Sequence, residues 1–496
     1  MHGHGKSDDP VVPAKPPNEL GRSGVEVVEG RGSVGGNAAS ETRLGRGAGL
    51  GVSTDLVRVR AVARSDGQVR FTALLHHVTV ERLEAAYRAI SPDAAPGVDG
   101  VTWRDYGQNL GENLEDLHGR VQRGAFRATP SRRVFIPKPD GRLRPLGVAS
   151  LEDKIVQRAV VEVLNAVYEE DFLGFSYGFR PGRSAHDALD ALATGVLERR
   201  VNWVLDADIR DFFGRVDQAW LEKFLEHRIA DRRVLRLIGK WLRAGVIEDG
   251  EWSKTEAGTA QGASVSPLLA NVYLHYVFDL WAQQWRQRHA SGDVILVRYA
   301  DDYVAGFEHR DDAERFLVDL RRRLAQFGLE LAGEKTRLIE FGRFAARDRV
   351  RRGDRRPETF EFLGFTHICA KSRAGRFKLQ RVTSKKKMRS KLKSVKTEMR
   401  RRMHHPVPNQ GAWLARVLAG HYRYYAVPDN SHALRAFRHA VVRLWLRALR
   451  RRSQRHRLRL ERMRRLIDRW LPNPRILHPW PNARFHARTL DRSPVR

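Results

Sequence analysis

A single cysteine, Cys369, occurs in 496 residues, which excludes an intramolecular disulfide and any zinc site built from several thiolates. A reducing, intracellular compartment fits that composition. Nowhere do about 18 uninterrupted apolar residues occur, as a membrane helix requires, and the N-terminus lacks the apolar run of roughly 7–15 residues of a signal peptide. A soluble, cytoplasmic chain without a membrane partner is therefore expected. Acidic residues are scarce at one end. Of 90 Lys and Arg and 58 Asp and Glu, 36 basic but only 5 acidic side chains follow residue 370. The net charge of +32 thus divides into +1 over the first 370 residues and +31 over the remainder. Such a block is suited to a polyanion, more plausibly nucleic acid than lipid.

The 42% apolar content suffices for real cores, and the length predicts two to four folded units, since single cores rarely grow past ~250–300 residues. Residues 1–55 carry Pro10, Pro13, Pro16 and Pro17 and then many glycines, with little apolar periodicity, and are expected to be a disordered leader. From Leu74 the spacing of Val78, Leu83, Ala86, Tyr87 and Ile90 predicts a helix. Arg133–Pro137 reads as a strand leading into a hairpin bent at Asp140-Gly141. Helices are predicted at 151–170 and 184–199, and strands at Trp203-Val204-Leu205 and Val294–Tyr299. Beyond residue 383 nearly everything reads as helical. The pattern is an α+β core followed by a basic helical appendage.

Two features carry chemistry. Tyr299-Ala300-Asp301-Asp302 places adjacent carboxylates at a tight bend between strands, and Asp208 ends another strand. Adjacent acids repel and are eased by a cation. Oxygen-only donors suit Mg²⁺, which uses one or two carboxylates plus substrate phosphates. Taken alone, an Asp-Asp pair is ordinary turn chemistry. The second feature is the basic end. Lys385, Lys386, Lys387 and Arg389 open one helix. In another, Leu434, Phe437, Val441, Leu444 and Ala448 form an apolar seam with Arg435, Arg438, Arg443, Arg447 and Arg450 off it, and there is no acid between 430 and 460. Tyr422, Tyr424 and Tyr425 are candidates either for stacking unpaired bases or for core packing.

In order along the chain, the Asp208 strand end with Phe212-Phe213, the block Gly258–Asn271, the Tyr299–Asp302 bend, Glu334-Lys335-Thr336 and Phe362-Leu363-Gly364-Phe365 resemble a group II intron-encoded reverse transcriptase/maturase over residues ~70–470. The resemblance implies a right-hand polymerase of fingers, palm and helical thumb with a basic C-terminal extension. It divides the chain into the leader (1–55), an N-terminal extension with fingers (56–200), a palm (201–370), a thumb/maturase region (371–450) and a DNA-binding extension (451–496). It implies an RNA-directed DNA polymerase using two Mg²⁺ ions, with Mn²⁺ as a substitute, in the bacterial cytoplasm or nucleoid. Catalysis falls to Asp208, Asp301 and Asp302, and metal ligation to these three with Ile209. Asp302 contributes charge more than direct ligation, and Asp206 supports the site or ends its strand. Contacts to the incoming dNTP are carried over to Lys138 and Arg144 over the triphosphate, Phe213 beneath C2′, Gln261 near the sugar and Lys335 near the pyrophosphate. The partners implied are group II intron RNA, held as a lariat ribonucleoprotein, and target DNA, with no obligate protein partner. Nucleic-acid contacts are assigned to Lys385, Lys386, Lys387, Arg389, Arg435, Arg438, Arg443, Arg447, Arg451 and Arg452.

Two positions depart from the family pattern: Ala260 stands where Pro is usual, and Asp211 where Gly is usual. The Cys-rich His-Asn-His nuclease of some members is not expected here, so a DNA primer would come from elsewhere. Two other readings stay open: a reverse transcriptase of another bacterial class gripping a different RNA, and an RNA chaperone with a vestigial palm.

Overall fold

The structure, a computed structural model, describes residues 54–137, 143–248, 251–253, 262–354, 356–452 and 460–490. The leader assigned to 1–55 lies outside them except for Thr54 and Asp55, which begin a helix, Thr54–Ser65, rather than ending a disordered stretch. Eleven strands form three sheets among the described residues. The first contains β1 (Ser131–Pro137), β2 (Leu143–Val148), β4 (Val246–Glu248) and β5 (Glu251–Ser253), in the order β2-β1-β4-β5. Pro137 pairs with Leu143 in an antiparallel ladder, as a hairpin requires, while the Asp140-Gly141 bend lies outside the described residues.

The second sheet is antiparallel: β3 (Trp203–Asp208), β6 (Val294–Tyr299), β7 (Asp302–Phe307) and β8 (Arg337–Glu340), in the order β6-β7-β3-β8. The third is β9 (Phe360–Phe362), β10 (Phe365–Lys371) and β11 (Phe377–Thr383). From Lys385 onward the described residues form helices, at Lys385–Arg401, Val407–Tyr425, Ser431–Arg450, Leu460–Trp470 and Pro481–Leu490. The mixed α+β reading is thereby met, and the boundary expected at 370/371 falls inside β10.

Side chains alternate across a strand, and this alternation builds two cores on the two faces of the second sheet. Leu205, Ala207, Leu296, Tyr303, Ala305 and Phe307 join the first core, with the buried helix Leu151–Asp171. That helix starts where Ser150 accepts from the Asp153 backbone N–H, and Glu152 and Asp153 in its first turn suit the positive end of the helix dipole. Val204, Ile295, Val297 and Val304 face the other way into a second core, with the helix Ala185–Glu198, Phe360, Phe365, Leu379 and Phe485. The helix Pro481–Leu490 therefore returns to the central sheet. Each fully buried Leu or Phe contributes ~1.5–3 kcal/mol, so Phe485 fastens the end of the described chain to that sheet.

A third core holds the basic helices together. Leu434, Phe437, Val441, Trp445 and Ala448 are its buried seam in Ser431–Arg450. Leu444, expected in that seam, is only partly buried, because the spacing of three and four continues through Trp445. Tyr422 joins this core, and Tyr424 and Tyr425 pack against the second, with the Tyr424 hydroxyl donating to the Leu363 carbonyl at 2.8 Å. Of the two roles open to the three tyrosines, the structure shows core packing. Among the described residues no helix is long and apolar enough to cross a membrane.

Candidate active site

On β3 the even-numbered residues run from Val204, in the second core, out to Asp206 and Asp208, which line an open groove of about 460 Å³. On β7, Asp302 shares this face with Val304, and the ladder sets Asp208 directly opposite Asp302. Ala300 reaches the bend between β6 and β7 with φ +57, in the left-handed region, and Asp301 follows it. Carboxylates from two segments some 90 residues apart, Asp208 on one side and the adjacent Asp301 and Asp302 on the other, are thus brought to adjoining strand ends. Lys335, Arg337 and Lys387 also line the groove, so an acidic floor has a cationic rim.

The charges report their crowding. Asp302 keeps a face open to solvent while protein packs around the rest of it. That packing first, then the neighbouring Asp301 and Asp208, lifts its carboxyl to about 7. Burial likewise raises Asp206 to about 6, against the opposing pull of Arg337, whose guanidinium lies 3.4 Å from its carboxylate. The Lys335 ammonium bonds directly to Asp208. It is held there by a turn in which the Ala332 N–H donates to the Asp208 carbonyl at 2.8 Å and the Lys335 N–H to the Ala332 carbonyl at 2.9 Å. Among the described residues no three His, Cys, Asp or Glu side chains form a ready-made metal cluster. The donor set nevertheless fits a hard divalent cation: all its ligands are oxygens, their mutual repulsion is written into Asp302, and an ammonium already neutralises Asp208.

Other site candidates fall as follows. Ile209 is buried and forms an isolated bridge with Leu331 just beyond Asp208. Phe213 is partly buried, edge-on to Phe212 with ring centroids 5.3 Å apart. Lys138 and Gln261, and Ala260 with them, lie outside the described residues. Arg144 is placed only by its backbone, opposite Ile136 in β2. Asp211 adopts φ +44 and ψ 49, which explains why a glycine is usual there: Asp is among the few side chains that tolerate the left-handed region.

Lys387 reaches the carboxylate groove, while Lys385, Lys386 and Arg389 line an adjoining one of about 1220 Å³, with Glu361 common to both. The basic helix therefore runs directly from the acidic site. Arg435, Arg443, Arg447, Arg450 and Arg451 are exposed. Arg438 and Arg452 are committed internally: Arg438 donates to the Leu471 and Pro472 carbonyls at 3.1 and 3.2 Å, and Arg452 to the His405 carbonyl. Sequence reasoning missed Arg298, a buried cation in β6 whose contacts reach the bend itself. Its signal was available, a charge directly following the apolar run Val294–Val297 within one strand.

A mixed α+β architecture carrying these carboxylates has known relatives. Residues 136–367 match the family described as "Reverse transcriptase (RNA-dependent DNA polymerase)". The chain is 35% identical over 277 residues to "Protein YkfC" of Escherichia coli (strain K12), covering 49% of this chain and 72% of that protein. It is 37% identical over 165 residues to "Group II intron-encoded protein LtrA" of Lactococcus lactis subsp. cremoris, covering 33% of this chain and 27% of LtrA. A shorter stretch of 112 residues is 30% identical to "Nuclear intron maturase 2, mitochondrial" of Arabidopsis thaliana, covering 21% and 15%. The chain belongs to the reverse transcriptase family, in its group II intron-encoded reverse transcriptase/maturase branch.

Proposed function

We propose that the chain is an RNA-directed DNA polymerase that binds group II intron RNA, assists its splicing and supports mobility by target-primed reverse transcription. The observation that carries the enzymatic part is the register of Asp208 against Asp302, in a groove rimmed by Lys335, Arg337 and Lys387, with Asp301 next to Asp302 at the bend between β6 and β7. The second sheet is the palm, the β1–β2 hairpin belongs to the fingers, and the basic helices from Lys385 form the thumb and its C-terminal extension.

Asp208 and Asp301 would hold the Mg²⁺ ions, with the Ile209 carbonyl and Asp302 beside them. Bound there, such cations would supply Lewis-acid charge to ionise a primer 3′-hydroxyl and to offset the charge on a departing pyrophosphate. Lys335 exchanges its carboxylate partner for the phosphates of an incoming nucleotide, together with Lys138 and Arg144 from the hairpin. Phe213 sits under the sugar, where it reads the absence of a 2′-hydroxyl, and Gln261 bonds near that sugar. Asp206 is a supporting residue: Arg337 engages it, and it adds negative charge behind Asp208.

Lys385, Lys386, Lys387 and Arg389 form a cationic track away from the site, and exposed Arg435, Arg443, Arg447 and Arg451 extend the basic surface over the thumb. Each phosphate they neutralise releases counterions, so affinity falls steeply with salt. Arg438 and Arg452, engaged with backbone carbonyls, contribute chiefly by holding this surface in shape. Intron RNA and target DNA are the partners this surface fits.

The test is Mg²⁺-dependent primer extension on an RNA template, with RNA affinity measured alongside. Asp301→Ala and Asp208→Ala should abolish extension and leave RNA binding largely intact. Retained polymerisation in either variant removes the assignment. Sequencing RNA that co-purifies with the protein tests the maturase role, with a lariat intron carrying this reading frame as the expected result.

A further inference from the structure

The guanidinium of Arg298, 1% exposed, uses all five of its N–H donors. Nε donates to Asp279 Oδ1 at 2.7 Å, and one terminal nitrogen donates to Asp279 Oδ2 at 2.5 Å and Ser176 Oγ at 2.7 Å. The other donates to Asn271 Oδ1 at 3.1 Å and to the Ala300 carbonyl at 3.0 Å. Arg298 thus reaches two residues along its own strand to grip the left-handed residue that turns the chain into Asp301.

The partners are themselves fixed. Asp279, fully buried, closes a π-helical turn, His275–Asp279, between the helices Ser266–Leu274 and Leu280–Arg288; such bulges often mark functional sites. Asn271 donates to the Gly178 carbonyl at 2.7 Å. A Cβ on Gly178 would stand 2.3 Å from the Ala300 nitrogen, so the segment around Gly178 lies flat on the bend. The Arg298 N–H donates to the Phe175 carbonyl and the Tyr177 N–H to the Arg298 carbonyl, each at 2.8 Å. Three separated pieces of chain therefore converge behind one strained alanine.

We propose that Arg298, with Asp279, Asn271 and Ser176, is a positioning unit that sets where the Ala300 bend presents the Asp301 carboxylate, and so governs cation affinity and turnover without touching nucleic acid. Its role in turnover rests on the polymerase reading above; its role in cation affinity does not. Burial alone would demand only that the ion pair be complete, whereas a saturated five-point hold with one point on the bend also fixes direction. Misplacing a reacting group by about 1 Å can cost on the order of 100-fold in rate.

Two variants test this. Arg298→Lys keeps the buried charge but loses the planar fork. Arg298→Met with Asp279→Leu removes both charges together, an exchange buried ion pairs often tolerate without loss of stability. For each, thermal stability, template–primer affinity, kcat, KM for dNTP and Mn²⁺ affinity by EPR without nucleic acid are compared with wild type. The expected result for the double variant is a folded protein with wild-type template–primer affinity, kcat lowered about 100-fold and Mn²⁺ bound about ten-fold more weakly. Arg298→Lys, if folded, should fall between the two. If the double variant folds and matches wild type in Mn²⁺ affinity and kcat, the proposal is overturned. If it does not fold, Ser176→Ala replaces it as the milder lesion, and unchanged Mn²⁺ affinity and kcat there overturn the proposal equally. If wild type itself extends no primer, the polymerase reading fails while the Mn²⁺ comparison still decides whether the unit positions Asp301.

Discussion

Replacing Asp302 by Asn should make the metal-free protein more stable at neutral pH, by a margin that grows from about pH 4 to about pH 7 and then levels off. A carboxyl held at about 7 rather than 3.8 corresponds to an unfavourable increment of ~4 kcal/mol, at 1.36 kcal/mol per tenfold change in acidity. Asp302 keeps an exposed face, so solvent screening reduces this to about 1–2 kcal/mol. The sign follows from proton linkage. The folded chain holds this proton more tightly than the unfolded chain, so wild type loses the increment as pH rises from about 4 to about 7, and an amide loses nothing. In differential scanning calorimetry with EDTA, the variant should melt with wild type near pH 4 and above it at pH 8, by on the order of 2 °C for a chain of this size. Adding Mg²⁺ at pH 8 should raise the wild-type Tm and close the gap, because a cation relieves the repulsion that Asn removes. A variant less stable than wild type at pH 8, or a gap unchanged between pH 4 and pH 8, would refute the account of Asp302 as a site strained by its neighbours.

Two further outcomes concern the basic end. Asp190, 1% exposed, receives both Arg381 at 2.9 Å and Arg484, so Asp190→Ala leaves two cations around an empty acid and should destabilise the fold by about 3–5 kcal/mol. Limited proteolysis should then release residues 481–490 well before the remainder is cut; simultaneous loss of the whole chain would contradict a local anchor. Replacing Lys385, Lys386 and Arg389 together by Gln should flatten the slope of log affinity against log salt by roughly 2–3 for duplex nucleic acid, as read by fluorescence anisotropy, and an unchanged slope would remove that helix from the interface.

Much of the central site was legible because its signals are local. Tyr299–Asp302 and Asp208 sit where expected strands end, whereas Glu334-Lys335-Thr336, just before β8, was marked only by the family resemblance. What the sequence could not show is how cations are spent. Arg435 and Arg438 look equivalent beside the same seam, yet only Arg438 meets the carbonyls of residues 471 and 472, a contact set by how two helices cross. Asp211 stood out only as a departure from the usual Gly, and the fold shows it to be a question of φ. Tyr424 offered an aromatic face for a base, but the Leu363 carbonyl lies within reach of its hydroxyl. Arg298 was the omission that mattered: its partners come from three segments, and only the fold assembles them.

Phe485 shares a core with Val204 and Val304, on the same sheet face from which Asp208 and Asp302 emerge a few residues further along. During synthesis that face lacks part of its cover until residues 481–490 have left the ribosome, long after the carboxylates themselves. Such distant pairings form late. A nascent chain holding every carboxylate of the site would still lack part of the core on which that sheet face rests.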